Sequence, residues 1–348
     1  RALALRAAGT KLGRVCLRGM VPRLCLFACL MVAVVRGAES GPGWFTVGPP
    51  EGRRVVLLAG DEEYRSEESL PMLAQLLAAR HGFRCTVLLP YGPDGTLDPN
   101  RSESLGKPEA IDGAELLLLG LRFRRWPDDV MARFDAAMRR GVPVVALRTS
   151  THAFQLREGT YLQYNNFGPD VLGAGWRTHW GQHAHEGTRA VAEAASARHP
   201  ILRGVGDIFA DTDVYEAYPP ADADVLLRGR VLAGMDPKGP ESHRVKKRST
   251  DGVEQAVNEP AMAVAWTREI PRADGVRQRV FCTTMASASD LADANLRRLV
   301  VNAVFWGLGL EVPALAEVEP VTPYRPSPYA FNRFRKGVKS QDLLNPTR

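Results

Sequence analysis

The chain has 348 residues, enough for one large α/β domain or two small ones. With 45 % hydrophobic and 24 % charged residues, its composition excludes a largely disordered chain. The net charge of +6 would suit a nucleic-acid or membrane-surface binder, but seven of the 45 basic residues fall within residues 1–38, which hold no acidic residue, so 38 basic residues face 39 acidic ones over the rest and nucleic acid is not expected as a partner.

Residues 1–38 read as an export signal. Arg18 and Arg23 precede the short apolar run 24–35, and Gly37-Ala38 offers small residues for cleavage. Met20 stands where such a signal would start, and the apolar run is short for a permanent membrane span. A lipid anchor at Cys29 is the alternative. A periplasmic or secreted protein with no stable membrane span after cleavage is therefore expected. Three of the five cysteines lie in this leader; Cys85 and Cys282 sit singly in apolar runs, which is no disulfide framework.

Residues 39–52, rich in Gly and Pro, are expected to be a linker. The continuous apolar run 54–60 predicts a strand buried on both faces, followed by the polar loop Asp61-Glu62-Glu63-Tyr64-Arg65. Ser66 is a candidate cap for a helix running to about Arg80, which His81-Gly82 would end. Strands are predicted over 83–89, 114–121 and 142–147, with a helix from Pro127 to Arg140 between the last two. Such strand and helix alternation implies a mostly parallel sheet whose ligand site lies beyond the carboxyl ends of the strands. The candidate pocket residues there are Asp61, Glu62, Arg122, Arg148, Thr149 and His152. Surface ion pairing is the alternative role for the two arginines.

The stretch 175–187 concentrates three of the seven histidines and two of the six tryptophans. If extended, it would point His179, His183 and His185 to one face. Three readings stay open: a transition-metal site, a metal-free pocket with a histidine as general acid/base, or a packed structural loop. No cofactor is expected, with a metal held by His179, His183 and His185 as the alternative.

Later strands are expected over 188–194, 225–232, 262–267 and 279–284, separated by a polar excursion over 241–260, and an amphipathic helix over 295–308. Residues 313–348 lack periodicity and read as an extended tail. There is no Walker loop, Gly-x-Gly-x-x-Gly, His-Glu-x-x-His or Gly-x-Ser-x-Gly, so nucleotide and serine-hydrolase readings lack support.

The segments Gly60-Asp61-Glu62-Glu63-Tyr64-Arg65-Ser66-Glu67-Glu68, residues 143–154, His199-Pro200-Ile201-Leu202-Arg203-Gly204, Asp213-Val214-Tyr215, residues 260–266, Thr283-Thr284-Met285 and residues 296–306 occur together in order. In that order they resemble the ThuA-like (trehalose-utilisation) family over roughly residues 53–312, most closely its exported Planctomycetes-type version. The resemblance implies a class I glutamine amidotransferase-like, flavodoxin-like α/β fold, a mostly parallel sheet with helices on both faces. It also implies a link to keto-sugar metabolism. Two positions depart from the pattern. The turn that carries the nucleophilic cysteine of glutaminases reads Arg148-Thr149-Ser150-Thr151, so no glutaminase chemistry is expected. Ala286-Ser287 stands where many members have a histidine.

The expected function is processing or binding of a small carbohydrate or keto-sugar. In this reading His152, His183 and His185 are catalytic candidates, and Asp61, Glu62, Arg122, Arg148, Thr149, Trp176 and His179 bind substrate, with Trp176 or Trp180 stacking on a sugar face. A non-catalytic sugar-binding or scaffold module and a metal-dependent hydrolase or isomerase are the alternatives. A homo-oligomer stays open.

Overall fold

The computed structural model describes residues 38–344. The expected export signal lies outside them, apart from its last residue. Thirteen strands and three α-helices follow one another: β1 (Glu39–Gly41), β2 (Trp44–Val47), β3 (Arg54–Gly60), α1 (Ser66–His81), β4 (Arg84–Leu88), β5 (Leu116–Leu121), α2 (Asp128–Arg139), β6 (Val144–Leu147), β7 (Thr188–Ala192), β8 (Ile208–Ala210), β9 (Asp224–Val231), β10 (Val245–Lys247), β11 (Glu254–Ala256), β12 (Met262–Pro271), β13 (Arg277–Thr283) and α3 (Ala294–Gly307).

Five strands form a parallel centre in the order β4-β3-β5-β6-β13. This is the flavodoxin-like order, with the strand sequence reversing direction between β3 and β5. Antiparallel strands extend the same sheet on both sides, β1 and β2 beyond β4, and β12, β9, β7 and β8 beyond β13. The strands buried on both faces are the apolar runs of the sequence. Val55, Leu57 and Ala59 meet the cluster that contains α1 and α3, whereas Val56 and Leu58 meet the cluster that contains α2. Helices therefore cover both faces, as a parallel sheet requires.

Three local expectations are corrected. The presumed linker contributes an edge hairpin, because Phe45 and Val47 alternate inward and pair with β4. Ser66 does not cap α1: its hydroxyl accepts from the Gly60 and Asp61 amides, at 3.1 and 2.9 Å, tying the helix start to the end of β3. The polar excursion over 241–260 contains its own hairpin, β10 with β11. The tail from residue 313 lies along its own domain, where Arg297 and Gln75 donate to the Val318 and Leu343 carbonyls and Leu97 N donates to the Val338 carbonyl. Among the described residues no helix is long and apolar enough to cross a membrane.

Under α2 an aromatic cluster closes the second face. Phe134 is fully buried, with ring centroids 5.1 Å from Phe154, 5.4 Å from Tyr164 and 5.5 Å from Phe167. Edge-to-face packing of this density leaves little room to relax. Phe134→Ala should cost about 3–5 kcal/mol of stability, read from the urea midpoint at unchanged slope. A loss below about 1 kcal/mol would mean the cluster repacks into the space.

Candidate functional site

The carboxyl ends of β3, β5, β6 and β13 converge, as the topology requires. Arg148 is the first residue after β6 and has φ +42, a left-handed conformation that is strained for a residue with a side chain. Its guanidinium, 2 % exposed, over-determines that conformation. Nη1 donates to the carbonyls of Thr284 (2.6 Å) and Asp213 (2.8 Å), and Nη2 donates to Asp213 Oδ1 (3.1 Å) and Tyr64 Oη (3.3 Å). The Tyr215 and Tyr64 rings face the cation at 3.9 and 4.6 Å. Arg148 is therefore a buried organiser and not the substrate clamp expected from sequence.

Asp213 carries the two histidines. His179 Nδ1 lies 2.9 Å from Oδ2 and His183 Nδ1 lies 3.1 Å from Oδ1, with the two rings 4.5 Å apart. An ionised carboxylate only accepts, so each imidazole presents Nδ1–H to Asp213 and leaves Nε2 for a ligand. Burial would raise the Asp213 pKa, but the hydrogen bonds from His179 and His183 and the Arg148 charge outweigh it and hold the carboxyl well below its usual range. Glu63 Oε1 is 3.5 Å from His183 Nε2, and burial, reinforced by Asp61, pushes the Glu63 carboxyl up.

The histidine stretch is not a uniform strand. Residues around His179 are extended and bridge Tyr215, and Gly181 lets the Asp213 backbone approach, since a Cβ there would lie 3.0 Å from Asp213 Cβ. The chain then turns: the His185 and Glu186 amides donate to the Gln182 carbonyl, and Ala184 takes φ +60. Buried Glu186 fixes the turn by accepting from Gln182 N (2.7 Å), Arg244 Nη2 (2.8 Å) and Ser242 Oγ (2.8 Å). The turn leaves His185 exposed and outside the group formed by His179, His183 and Asp213. Trp180 is fully buried, its Nε1–H donating to the Val257 carbonyl, so it offers no face to a sugar. Trp176 is 40 % exposed and stands beside His152, ring centroids 5.3 Å apart. His152 also packs on Phe123 at 4.9 Å, and burial, together with Arg122 and Arg148, holds its pKa well below the usual histidine range. His152 is neutral at pH 7.

The other candidates serve the frame. Asp61 accepts from the Glu63 and Tyr64 amides and, at 2.5 Å, from the Thr149 hydroxyl, leaving neither group free for a ligand. Glu62 joins Arg122 and, at 2.9 Å, the buried Arg124. Sequence reasoning missed Asp213, Glu63 and Tyr215 as site residues, although Asp213 and Tyr215 stand together in a quoted segment. It also missed Tyr329. This tail residue packs 5.2 Å from Tyr64 and 5.7 Å from His183, and the Ala330 amide beside it donates to the Glu63 carbonyl at 3.0 Å. The tail is a wall of the site.

No protein-family description and no curated protein matches this sequence. Among solved structures, a ThuA-like protein from Parabacteroides merdae shares 14 % identity and a TM-score of 0.49, covering 76 % of this chain and 92 % of its own. A second one, from Bacteroides uniformis, shares 14 % identity and a TM-score of 0.46 over 78 % of this chain and 94 % of its own. A glutamine amidotransferase from Methylobacillus flagellatus shares 10 % identity and a TM-score of 0.31 over 69 % of this chain and 73 % of its own.

Asp213 also makes a pH signature. Its folded pKa is depressed below the unfolded value of about 3.9, so its contribution to stability is complete above about pH 5 and lost as pH falls toward the folded value. Asp213→Asn should therefore lower stability at pH 7 and flatten the acid limb of a stability-against-pH curve measured by denaturant unfolding. An acid limb as steep as that of the unmutated protein would remove Asp213 from this role.

Proposed function

We propose that the protein processes a small carbohydrate or keto-sugar by general acid/base catalysis at His179 and His183. The single observation that carries this reading is the buried Asp213 carboxylate, which takes Nδ1–H from both rings, while His183 Nε2 faces Glu63 Oε1 at 3.5 Å. A carboxylate behind an imidazole fixes its tautomer and stabilises its protonated form. Two such rings side by side suit a reaction that removes a proton at one atom and returns it at a neighbour. A hydroxyl next to a carbonyl, or the carbon between them, is such a pair. Neutral His152 is a hydrogen-bond donor for a substrate oxygen, and the exposed face of Trp176 suits the apolar face of a pyranose. The ThuA-like resemblance in the sequence supports the same substrate class, and the leader supports an exported protein. Among the described residues the cysteines are poor glutaminase nucleophiles: Cys85 and Cys282 are buried in strands and burial pushes both thiols up.

A second reading rests on another observation. His179, His183 and Asp213 offer ligand atoms within 4.8 Å of one another, and two imidazoles with one carboxylate suit zinc or iron. Asp213 takes the place that His185 held in the sequence-based ligand set. Bound metal would displace the protons now shared between Nδ1 and Asp213.

Elemental analysis of the protein purified without a histidine tag separates the two readings. Binding and turnover of mono- and disaccharides and their 3-keto forms then test the first. His183→Ala should lower turnover by about 10²–10⁴-fold with folding retained. Failure of every member of the panel to bind a folded protein would sink the carbohydrate reading, and metal in stoichiometric amount that is lost in His183→Ala would replace acid/base chemistry by metal-assisted chemistry. Binding without any turnover would favour a sugar-binding module.

A further inference from the structure

The tail does more than wall the histidine site. Tyr324 and Val338 both pack on the core, and between them residues 325–337 form an arch whose tip lies against the site. At the tip the Tyr329 ring stands 5.2 Å from Tyr64 and 5.7 Å from His183, and its hydroxyl donates to the Asp211 carbonyl at 3.2 Å. The Ala330 amide donates to the Glu63 carbonyl at 3.0 Å, and the Phe331 ring faces the Arg122 guanidinium at 4.9 Å. Beneath the arch is a cleft of about 1050 Å³, with α1 on one side and both limbs of the arch on the other. Close-packed interiors hold few voids larger than a water, so the limbs have little packing to lose when they move.

One residue of α1 fastens both limbs. Glu68 Oε2 accepts from Ser327 N at 2.7 Å on the first limb, and Glu68 Oε1 lies 3.6 Å from Arg335 Nε on the second. The second contact is too long for a hydrogen bond, and the Arg335 side chain is 60 % exposed, so water competes for it. Pro326 and Pro328 stiffen the first limb by fixing φ. The second limb ends at Gly337, with φ +75 and open space where a side chain would stand. A stiff limb, a free pivot and a light fastening suit a segment that swings as a unit. The site also needs such a movement. Glu63 Oε1 stands 3.5 Å from His183 Nε2, which leaves no room for a reacting atom between them, and Ala330 ties the Glu63 backbone in that position.

We propose that residues 325–337 are a lid on the histidine site, held down by Glu68 and lifted when a ligand enters between Glu63 and His183. The lid rests on the reading that a ligand meets His183, and not on which reaction follows there.

Hydrogen exchange of the full chain, read by mass spectrometry with fragmentation to single residues, tests the lid without any ligand. The Ala330 amide reports the closed position, because its hydrogen bond to Glu63 protects it only while the tip is down. It should exchange faster than the amides of residues 70–81 in α1, since lifting the lid leaves that helix intact. Glu68→Ala removes both fastenings and should speed Ala330 exchange about tenfold. Arg335→Ala, an exposed change, should speed it about two- to fivefold, so a folding defect in the first variant does not decide the matter. Residues 70–81 should exchange as before in both. Diethyl pyrocarbonate should modify His183 several-fold faster in the same variants, with His185, outside the site, unchanged. Ala330 exchange as slow as that of α1, or indifferent to both variants, would overturn the lid. So would faster exchange with His183 modification unchanged. Sugar turnover that is absent while the lid opens as described would count against the acid/base reading alone, and turnover with a lid that stays shut would count against the lid alone.

Discussion

The ion pair between Arg148 and Asp213 is the constraint on which the rest of the site depends. Both side chains are essentially closed to solvent, with side-chain exposures of 2 % and 0 %. A charge in such a place is tolerable only when paired and hydrogen-bonded throughout. Arg148 meets this condition through Nη1 and Nη2, with two backbone carbonyls, a phenol and the carboxylate framed by two aromatic rings, whereas its buried Nε has no hydrogen-bond partner. Asp213 meets it with Arg148 on one side and two imidazoles on the other. The carboxylate thus stays ionised while buried, and its ionisation orients His179 and His183.

That pair joins two parts of the sheet that the chain makes separately. Arg148 belongs to the parallel centre, at the end of β6, whereas Asp213 lies between β8 and β9 in the antiparallel extension. The insertion between β6 and β13 therefore does more than widen the sheet. It brings the histidine turn over the carboxyl ends of the parallel strands, where the fold leaves a crevice. Glu186 and Arg244 brace this turn from behind, and the tail brings Tyr329 across its front. Three stretches far apart in sequence enclose one pair of imidazoles.

The polar residues at the ends of β3 and β5 have a different task. Asp61 organises its own turn and anchors Thr149, and Glu62 gathers Arg122 and Arg124. Carboxylates beside arginines at strand ends can look like substrate clamps in a sequence, yet here most of their polar atoms are bound to one another. They tie the ends of β3 and β5 to one another and to the turn after β6.

The sequence by itself determined the parallel centre. Runs such as Leu116-Leu117-Leu118-Leu119, apolar at every position, are stable only with both faces covered, and the helices between such runs supply the cover. The turn motifs at Asp61, Arg122 and Arg148 followed as strand ends, and the histidine stretch stood out by composition alone. Periodicity misjudged the 39–52 segment because two short strands among Gly and Pro give too few alternations to register. The partners of the histidines were hidden for a physical reason. A strand pattern fixes which face a side chain takes only while the backbone stays extended, and Ala184 with Glu186 ends that extension between His183 and His185. Whether a polar residue is free for a ligand or consumed by a neighbour depends on groups tens to hundreds of positions away: Asp61 on Thr149, Arg148 on Asp213, Glu63 on His183. Local sequence sets which elements form, and only their packing decides which charges meet.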